Sequence, residues 1–243
     1  MIVLAASRGA ALGELTLHRP KTMVQVRGKP LLAHIVEAYN SAGIKRITVV
    51  RGYRAEAVDL PSLTYVDNTE YADTSEIHSL AAALAADPDD SVDLYVCYGD
   101  VIFKPYILEV LAEADADLAI VVDADWRESA NRGRPADYVR CTLPHSRRAF
   151  YERIHLGRCA ADLPEPEIHG EWMGFLRVAA PALPRVRAAV AALAGRPGGR
   201  AATLPDLLNE LSAQGDAVRV IYTTGHWLDV DSLEDVVAAG SFA

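Results

Sequence analysis

The sequence predicts an α/β fold: a mainly parallel mixed sheet flanked by helices, with a small antiparallel region added in the second half. Three observations point to it. Apolar runs of strand length alternate with longer amphipathic segments through the first half of the chain. Those runs are continuous in apolar character, as in strands buried on both faces. After Asp123 the pattern breaks into a polar stretch and resumes with shorter segments.

Residues 1–6 form the first apolar run, and a loop holding Gly9, Gly13 and Pro20 follows. Residues 23–26 read as a short extension before a turn at Gly28. Residues 30–42 read as a helix opened by proline, with Leu31, Leu32, Ile35, Val36 and Tyr39 on one stripe and Gly43 as its C-terminal cap. Strands are expected at 47–50 and 63–66, an alanine-rich helix at 75–86, and a strand at 94–98 that ends on Gly99-Asp100. A helix at 105–114 and a strand at 118–122 complete the alternation. Residues 124–137 are polar, carry Arg127, Arg132, Arg134 and Pro135, and read as a mobile loop or lid. Segments 138–142 and 150–154 read as an antiparallel pair turning near Pro144-His145-Ser146. Then come a strand at 172–178, a helix at 181–194, a surface loop at 195–200, a helix at 204–214 closed by Gly215, and a strand at 218–222. A last helix is expected from 231 to 239. Right-handed crossovers would place the loops after the parallel strands at one sheet edge, where ligands of such folds bind.

Composition narrows the partners. Asp and Glu number 33 against 24 Lys and Arg, for a net charge of −9 and a pI of about 5.2, which argues against a nucleic-acid partner. No run approaches the ~18 apolar residues of a membrane span. The N-terminal run lacks a basic start and is too short for a signal peptide. Cys97, Cys141 and Cys159 show no metal spacing, and their odd, scattered placement fits a reducing compartment. A cytoplasmic protein is therefore expected. Lysine occurs only at Lys21, Lys29, Lys45 and Lys104, so positive charge for an anionic ligand must be gathered locally.

Three loops at strand ends carry unusual residues. The loop from Ala5 to Lys21 has glycines that could cradle phosphates through backbone N–H groups, and it contains Arg8. It fits neither the dinucleotide fingerprint nor a Walker A loop, so a plain surface loop remains open. Asp100 follows an apolar strand beside Gly99 and is placed to hold a hard cation such as Mg²⁺. In Trp227-Leu228-Asp229-Val230-Asp231, alternation puts Asp229 and Asp231 on one side. Asp231 is equally a candidate N-cap, with Glu234 as its capping-box partner. A phosphate cradle, a lysine and two acidic corners at one edge suggest Mg²⁺-assisted attack on a nucleoside triphosphate.

The opening LAASRGAALGELTLHRPKTMVQVRGKPLL resembles that of the sugar-phosphate and alcohol-phosphate nucleotidyltransferases. The resemblance continues through VVRGYRAE, YVDNTEYADT, LYVCYGDVIF, AIVVDADWR and GEWMGFLRV to GHWLDVDSLEDV, in order along nearly the whole chain. Within that family it is closest to the phosphocholine and phosphonate cytidylyltransferases. It implies a Rossmann-like nucleotidyltransferase fold in one domain, with residues 1–123 as the nucleotide-binding half and 124–243 as the acceptor-binding half. It also implies CTP and Mg²⁺, and as acceptor a small phosphonate, such as 2-aminoethylphosphonate or 2-hydroxyethylphosphonate, or a phosphoalcohol such as phosphocholine.

By position, the resemblance implies that Ala5, Ala6, Ser7, Gly9, Tyr98 and Gly99 contact the nucleotide. Lys21 and Arg8 would serve the transfer step, and Asp100, Asp229 and Asp231 would hold the metal. On this basis Lys21→Ala is expected to slow chemistry while leaving the fold intact. Arg158, Glu171, Trp172 and Tyr151 are the acceptor-site candidates, together with Trp126, Tyr138, Arg153 and His169. The chain also departs from the family pattern. Ser7 replaces a glycine, Ala11 replaces an arginine, Ser75 lies near the place of an asparagine, and Cys159 stands where lysine often follows a Gly-Arg pair. Arg8, Arg51, Arg54 or an arginine of the 127–134 stretch could supply the missing charge. Two other classes stay open: a sugar-1-phosphate nucleotidyltransferase, and a nucleotide-binding protein without turnover.

Overall fold

The computed structural model describes residues 1–129, 134, 136–149 and 151–242. Its strands in the first half are β1 (Ile2–Ala5), β2 (Gln25–Val26), β3 (Lys29–Pro30), β4 (Thr48–Arg51), β5 (Thr64–Asp67), β6 (Leu94–Tyr98), β7 (Val101–Phe103) and β8 (Leu118–Asp123). The second half adds β9 (Tyr138–Cys141), β10 (Leu156–Cys159), β11 (Gly170–Val178), β12 (Val218–Thr223) and β13 (Trp227–Asp229). The helices are α1 (Leu31–Ser41), α2 (Glu76–Ala86), α3 (Tyr106–Ala112), α4 (Leu183–Gly195), α5 (Leu204–Ala213) and α6 (Leu233–Ser241). Among the described residues, no helix is long and apolar enough to cross a membrane.

Strands β5, β4, β1 and β6 lie side by side and parallel, as the βα alternation requires. Antiparallel β11 then joins β6 to β8, and β12 runs parallel to β8. β1 is buried on both faces. Ile2 and Leu4 enter a core beneath α2, α4 and α5, while Val3 and Ala5 enter one beneath α1 and α3. Each fully buried aliphatic side chain stabilises this sandwich by about 1.5–3 kcal/mol.

β11 forks the sheet. Its last residues pair with β6, while Gly170 and Glu171 pair with β9, which carries β10 on its far side. The break falls around Gly174, which has φ +80°. A Cβ there would sit 2.4 Å from Cδ2 of Tyr98, so only glycine lets the strand pass that ring. The fork opens a cleft beyond the carboxyl ends of β1 and β6.

Two sequence expectations are corrected. The partner of β9 is β10, not 150–154; Phe150 itself lies outside the described residues. Ile154 is buried in the core, its carbonyl accepting from the Val220 N–H. Residues 156–159 pair instead because Asn209 of α5 bonds both backbone groups of Cys159, at 2.8 and 2.7 Å. The last helix is capped by Ser232 with Asp235, not by Asp231 with Glu234. Asp231 is unavailable as a cap because its carboxylate turns to Lys21.

Candidate active site

The loop after β1 is held by its backbone. The Lys21 N–H donates to the Arg8 carbonyl at 3.1 Å, and the Thr16 hydroxyl donates to the Gly9 carbonyl at 3.1 Å. Gly9 has φ +70°, and a Cβ on it would lie 2.6 Å from Cβ of Lys21. Glycine at this position therefore lets the lysine chain run under the loop. In the turn after β4, the Tyr53 N–H donates to the Ala6 carbonyl at 2.9 Å and the Tyr53 hydroxyl to the Leu17 carbonyl at 2.7 Å.

Two three-residue strands unite the acidic corners. β7 and β13 pair antiparallel with Val101 opposite Asp229, and the Val230 N–H donates to the Asp100 carbonyl at 3.0 Å. Asp100, Asp229 and Asp231 thereby converge on the Lys21 ammonium. Nζ lies 2.9 Å from Asp100 Oδ2 and 3.5 Å from Asp229 Oδ1, and it donates to Asp231 Oδ1. Lys21 is only 5% exposed. Burial alone would lower its pKa, but attraction to Asp100, Asp229 and Asp231 outweighs this and raises it, so the ammonium stays charged. Burial, reinforced by Asp100, pushes Asp229 up against the pull of Lys21. Lys21 holds Asp231 down despite burial.

The three carboxylates outnumber the one ammonium. Among the described residues, no three His, Cys, Asp or Glu side chains are grouped so that they could hold a metal ion by themselves. Mg²⁺, however, is usually held by one or two carboxylates together with substrate phosphates. Asp229 Oδ1 is buried and accepts no hydrogen bond, which leaves an oxygen suited to such a shared ion. The donor set fits a metal that arrives with a triphosphate.

The cleft has a volume of about 500 Å³. Of the sequence candidates, Ala6, Ser7, Tyr98, Asp100, Glu171, Trp172, Asp229 and Asp231 line it. Ala5, Gly9 and Gly99 do not line it; a Cβ on Gly99 would meet the Leu4 carbonyl at 2.8 Å. The Arg8 guanidinium lies 5.6 Å from the Tyr53 ring centroid, and its Nε is buried without a hydrogen-bond partner. Arg51 is committed to Asp67 through two hydrogen bonds, whereas Arg54 lies near Tyr53 and Glu56. Arg132 and Pro135 of the expected loop lie outside the described residues.

Several expectations fail on placement. Tyr151 is 94% exposed and does not line the cleft. Arg158 pairs with Asp162 and borders a different hollow, beside Asn209. Both were expected at the acceptor site on residue type, which does not say which face of a strand or turn they occupy. Trp126 is buried against Leu163 and Ile168 with Tyr138 packed beside it, and Arg153 pairs with Asp115. His169 Nδ1 accepts from the Cys141 N–H. Lys29, in the opening motif, pairs with Glu37 at the surface.

Other residues of the cleft carry no signal legible in the sequence. Glu76, Asp137 and Trp227 line it. The Tyr98 hydroxyl donates to Asp137 Oδ2 at 3.0 Å, and Glu76 Oε2 is buried without a hydrogen-bond partner. Asp123, 2% exposed, accepts from the N–H groups of Asp125 and Gly225 and from the Trp227 indole, each at 2.9 Å, and so holds that ring at the cleft.

Comparison with known proteins places this geometry. A model of the MobA-like NTP transferase domain matches residues 1–229. The chain is 32% identical over 133 residues to the CTP:phosphoglutamine cytidylyltransferase of Campylobacter jejuni, covering 51% of this chain and 53% of that one. It is 33% identical over 144 residues to the CMP-5'-(3-aminopropyl)phosphonate synthase of Streptomyces rubellomurinus, covering 56% of this chain and 22% of that one. The matches thus span about half, or less, of these curated relatives. The inositol-1-phosphate CTP transferase of T. maritima shares the fold, with a TM-score of 0.75 at 20% identity over 99% of this chain and 94% of that one.

Proposed function

The chain belongs to the MobA-like NTP transferase family, and on that premise we propose that it transfers a cytidylyl group from CTP to a small phosphonate or phosphorylated alcohol. The observation that carries this is the buried Lys21 ammonium ringed by Asp100, Asp229 and Asp231 beside the loop after β1. An acceptor phosphonate or phosphate oxygen attacks the α-phosphorus of CTP. The bond from that phosphorus to the bridging oxygen breaks, and pyrophosphate leaves. The oxygen is already anionic near neutral pH, so no general base is required. Lys21 offsets charge that builds on the phosphates, and Arg8 adds a second cation at the loop. Asp100 and Asp229 would hold Mg²⁺ together with the triphosphate, where it would neutralise phosphate charge, while Asp231 stays on Lys21. Backbone at Ala6 and Ser7 orients the nucleotide.

The rest of the cleft bears on the acceptor. Glu76, Asp137 and Glu171 line it with Tyr98 and Trp172, whose rings stand 5.6 Å apart. Carboxylates and aromatic faces favour an ammonium group over a second anion. This supports 2-aminoethylphosphonate or phosphocholine over 2-hydroxyethylphosphonate, and the two curated relatives are named for phosphoglutamine and aminopropylphosphonate chemistry.

Pyrophosphate release over the common nucleoside triphosphates, with phosphonates, phosphocholine and hexose-1-phosphates as acceptors, tests the proposal. Release with CTP and an amine-bearing acceptor is expected. Release only with a hexose-1-phosphate would make the chain a sugar nucleotidyltransferase. No release with any pair would leave a nucleotide-binding protein.

A further inference from the structure

Asp235 begins as a helix cap and exceeds that task. In a capping box the N3 side chain accepts the N–H of the N-cap residue. Asp235 does this, with Oδ2 2.7 Å from the Ser232 nitrogen, while the Ser232 hydroxyl accepts from the Asp235 N–H at 3.2 Å. The same Oδ2 also accepts the Asp231 N–H at 3.0 Å and Arg134 Nη1 at 2.6 Å, and Oδ1 accepts Arg134 Nη2 at 2.8 Å. The Asp235 side chain is 3% exposed, so this forked pair is shielded from water on one side.

The position explains why the extra bonds matter. The β7–β13 ladder ends at Asp229. Beyond it, the Val230 N–H is held by the Asp100 carbonyl, and the Asp231 N–H is held by Asp235. The Asp231 carboxylate, which meets Lys21, therefore hangs from a peptide fixed by the Asp235 side chain.

We propose that Asp235 is a positioning residue for the reacting centre: oriented by Arg134, it fixes the Asp231 peptide and so sets the carboxylate opposite Lys21. The inference rests on reading the Lys21 cluster as that centre. Arg134 also ties the approach to β9, where Asp137 lines the cleft, to the acid-bearing strand.

Ser232→Ala is the control, because it removes the other half of the capping box and leaves Asp235 on Asp231 and Arg134. Thermal midpoint, kcat and KM for CTP, and CTP affinity by calorimetry with Mg²⁺ present are measured for the parent, Ser232→Ala, Asp235→Asn and Asp235→Ala. Displacing a catalytic group by a fraction of an ångström costs on the order of tenfold or more in rate. Asp235→Ala is expected to lose at least that in kcat, or in CTP affinity with Mg²⁺, and Asp235→Asn is expected to fall between it and the parent. Ser232→Ala is expected to lose thermal stability yet keep both within about threefold of the parent. Equal losses for Ser232→Ala and Asp235→Ala would reduce Asp235 to a helix cap and overturn the inference, as would Asp235→Ala matching the parent. If the parent binds CTP with Mg²⁺ but releases no pyrophosphate, the transferase reading fails while the affinities still decide the role of Asp235. If it does neither, both fall.

Discussion

At the scale of single residues, the account turns on charges that only the fold brings together. Lys21 reads in the sequence as a loop lysine whose loss would leave the structure intact. Buried among three carboxylates, it is part of what holds the β1 loop to β7 and β13. Lys21→Met is therefore expected to cost about 3 kcal/mol in urea unfolding at neutral pH, with part of the loss recovered in acid as the stranded carboxylates protonate. Asp137 gives an opposite sign. Burial, reinforced by Asp100 and opposed by the Tyr98 hydroxyl, pushes its carboxyl up to about 6. The unfolded value is about 3.9, so the folded state holds this proton more tightly. Its contribution is present in acid and is lost as pH rises through about 6. Asp137→Asn should match the parent near pH 4 and exceed it by roughly 2 kcal/mol above pH 7, as read from denaturant midpoints. Neither Asp137 nor Asp235 was legible in the sequence, because each acquires its role from a partner far along the chain. Asp100 was legible at the end of an apolar run and Asp229 with Asp231 by alternation, and the family resemblance joined the three.

At the scale of elements, long apolar runs read well and short ones did not. β6 appears where its continuous run predicts, as do α2 and α5 to within a residue or two. β7 and β13 have three residues each, too few for any periodicity to show, yet their pairing builds the acidic cluster. The partner of β9 was misplaced because side-chain bonding from Asn209, rather than alternation, selects it. β11 carries the sharpest local constraint. Gly174→Ala forces a side chain into positive φ and into the Tyr98 ring. It should destabilise the protein by about 2 kcal/mol and raise KM for the acceptor more than KM for CTP, because Tyr98 lines the cleft. Steady-state kinetics beside a thermal melt would read both effects.

At the scale of the whole molecule, nine strands among the described residues, drawn from both halves of the chain, form one sheet, and the cleft opens where parallel and antiparallel parts meet. The net charge of −9 and the handful of lysines make sense in that setting. One lysine is buried among three carboxylates at the proposed reaction centre, and those acids would suit a cation delivered with the nucleotide. The expected acceptor residues were the least legible, because Trp172 lines the cleft while Tyr151 and Arg158 lie outside it, a difference that residue type does not reveal. The central claim is that CTP reacts at the Lys21 cluster. The direct measurement is pyrophosphate release from CTP and 2-aminoethylphosphonate or phosphocholine with Mg²⁺, comparing the parent with Asp100→Asn. The account predicts turnover by the parent and a loss on the order of a hundredfold in the variant at an unchanged fold. Equal turnover by the two proteins would contradict it.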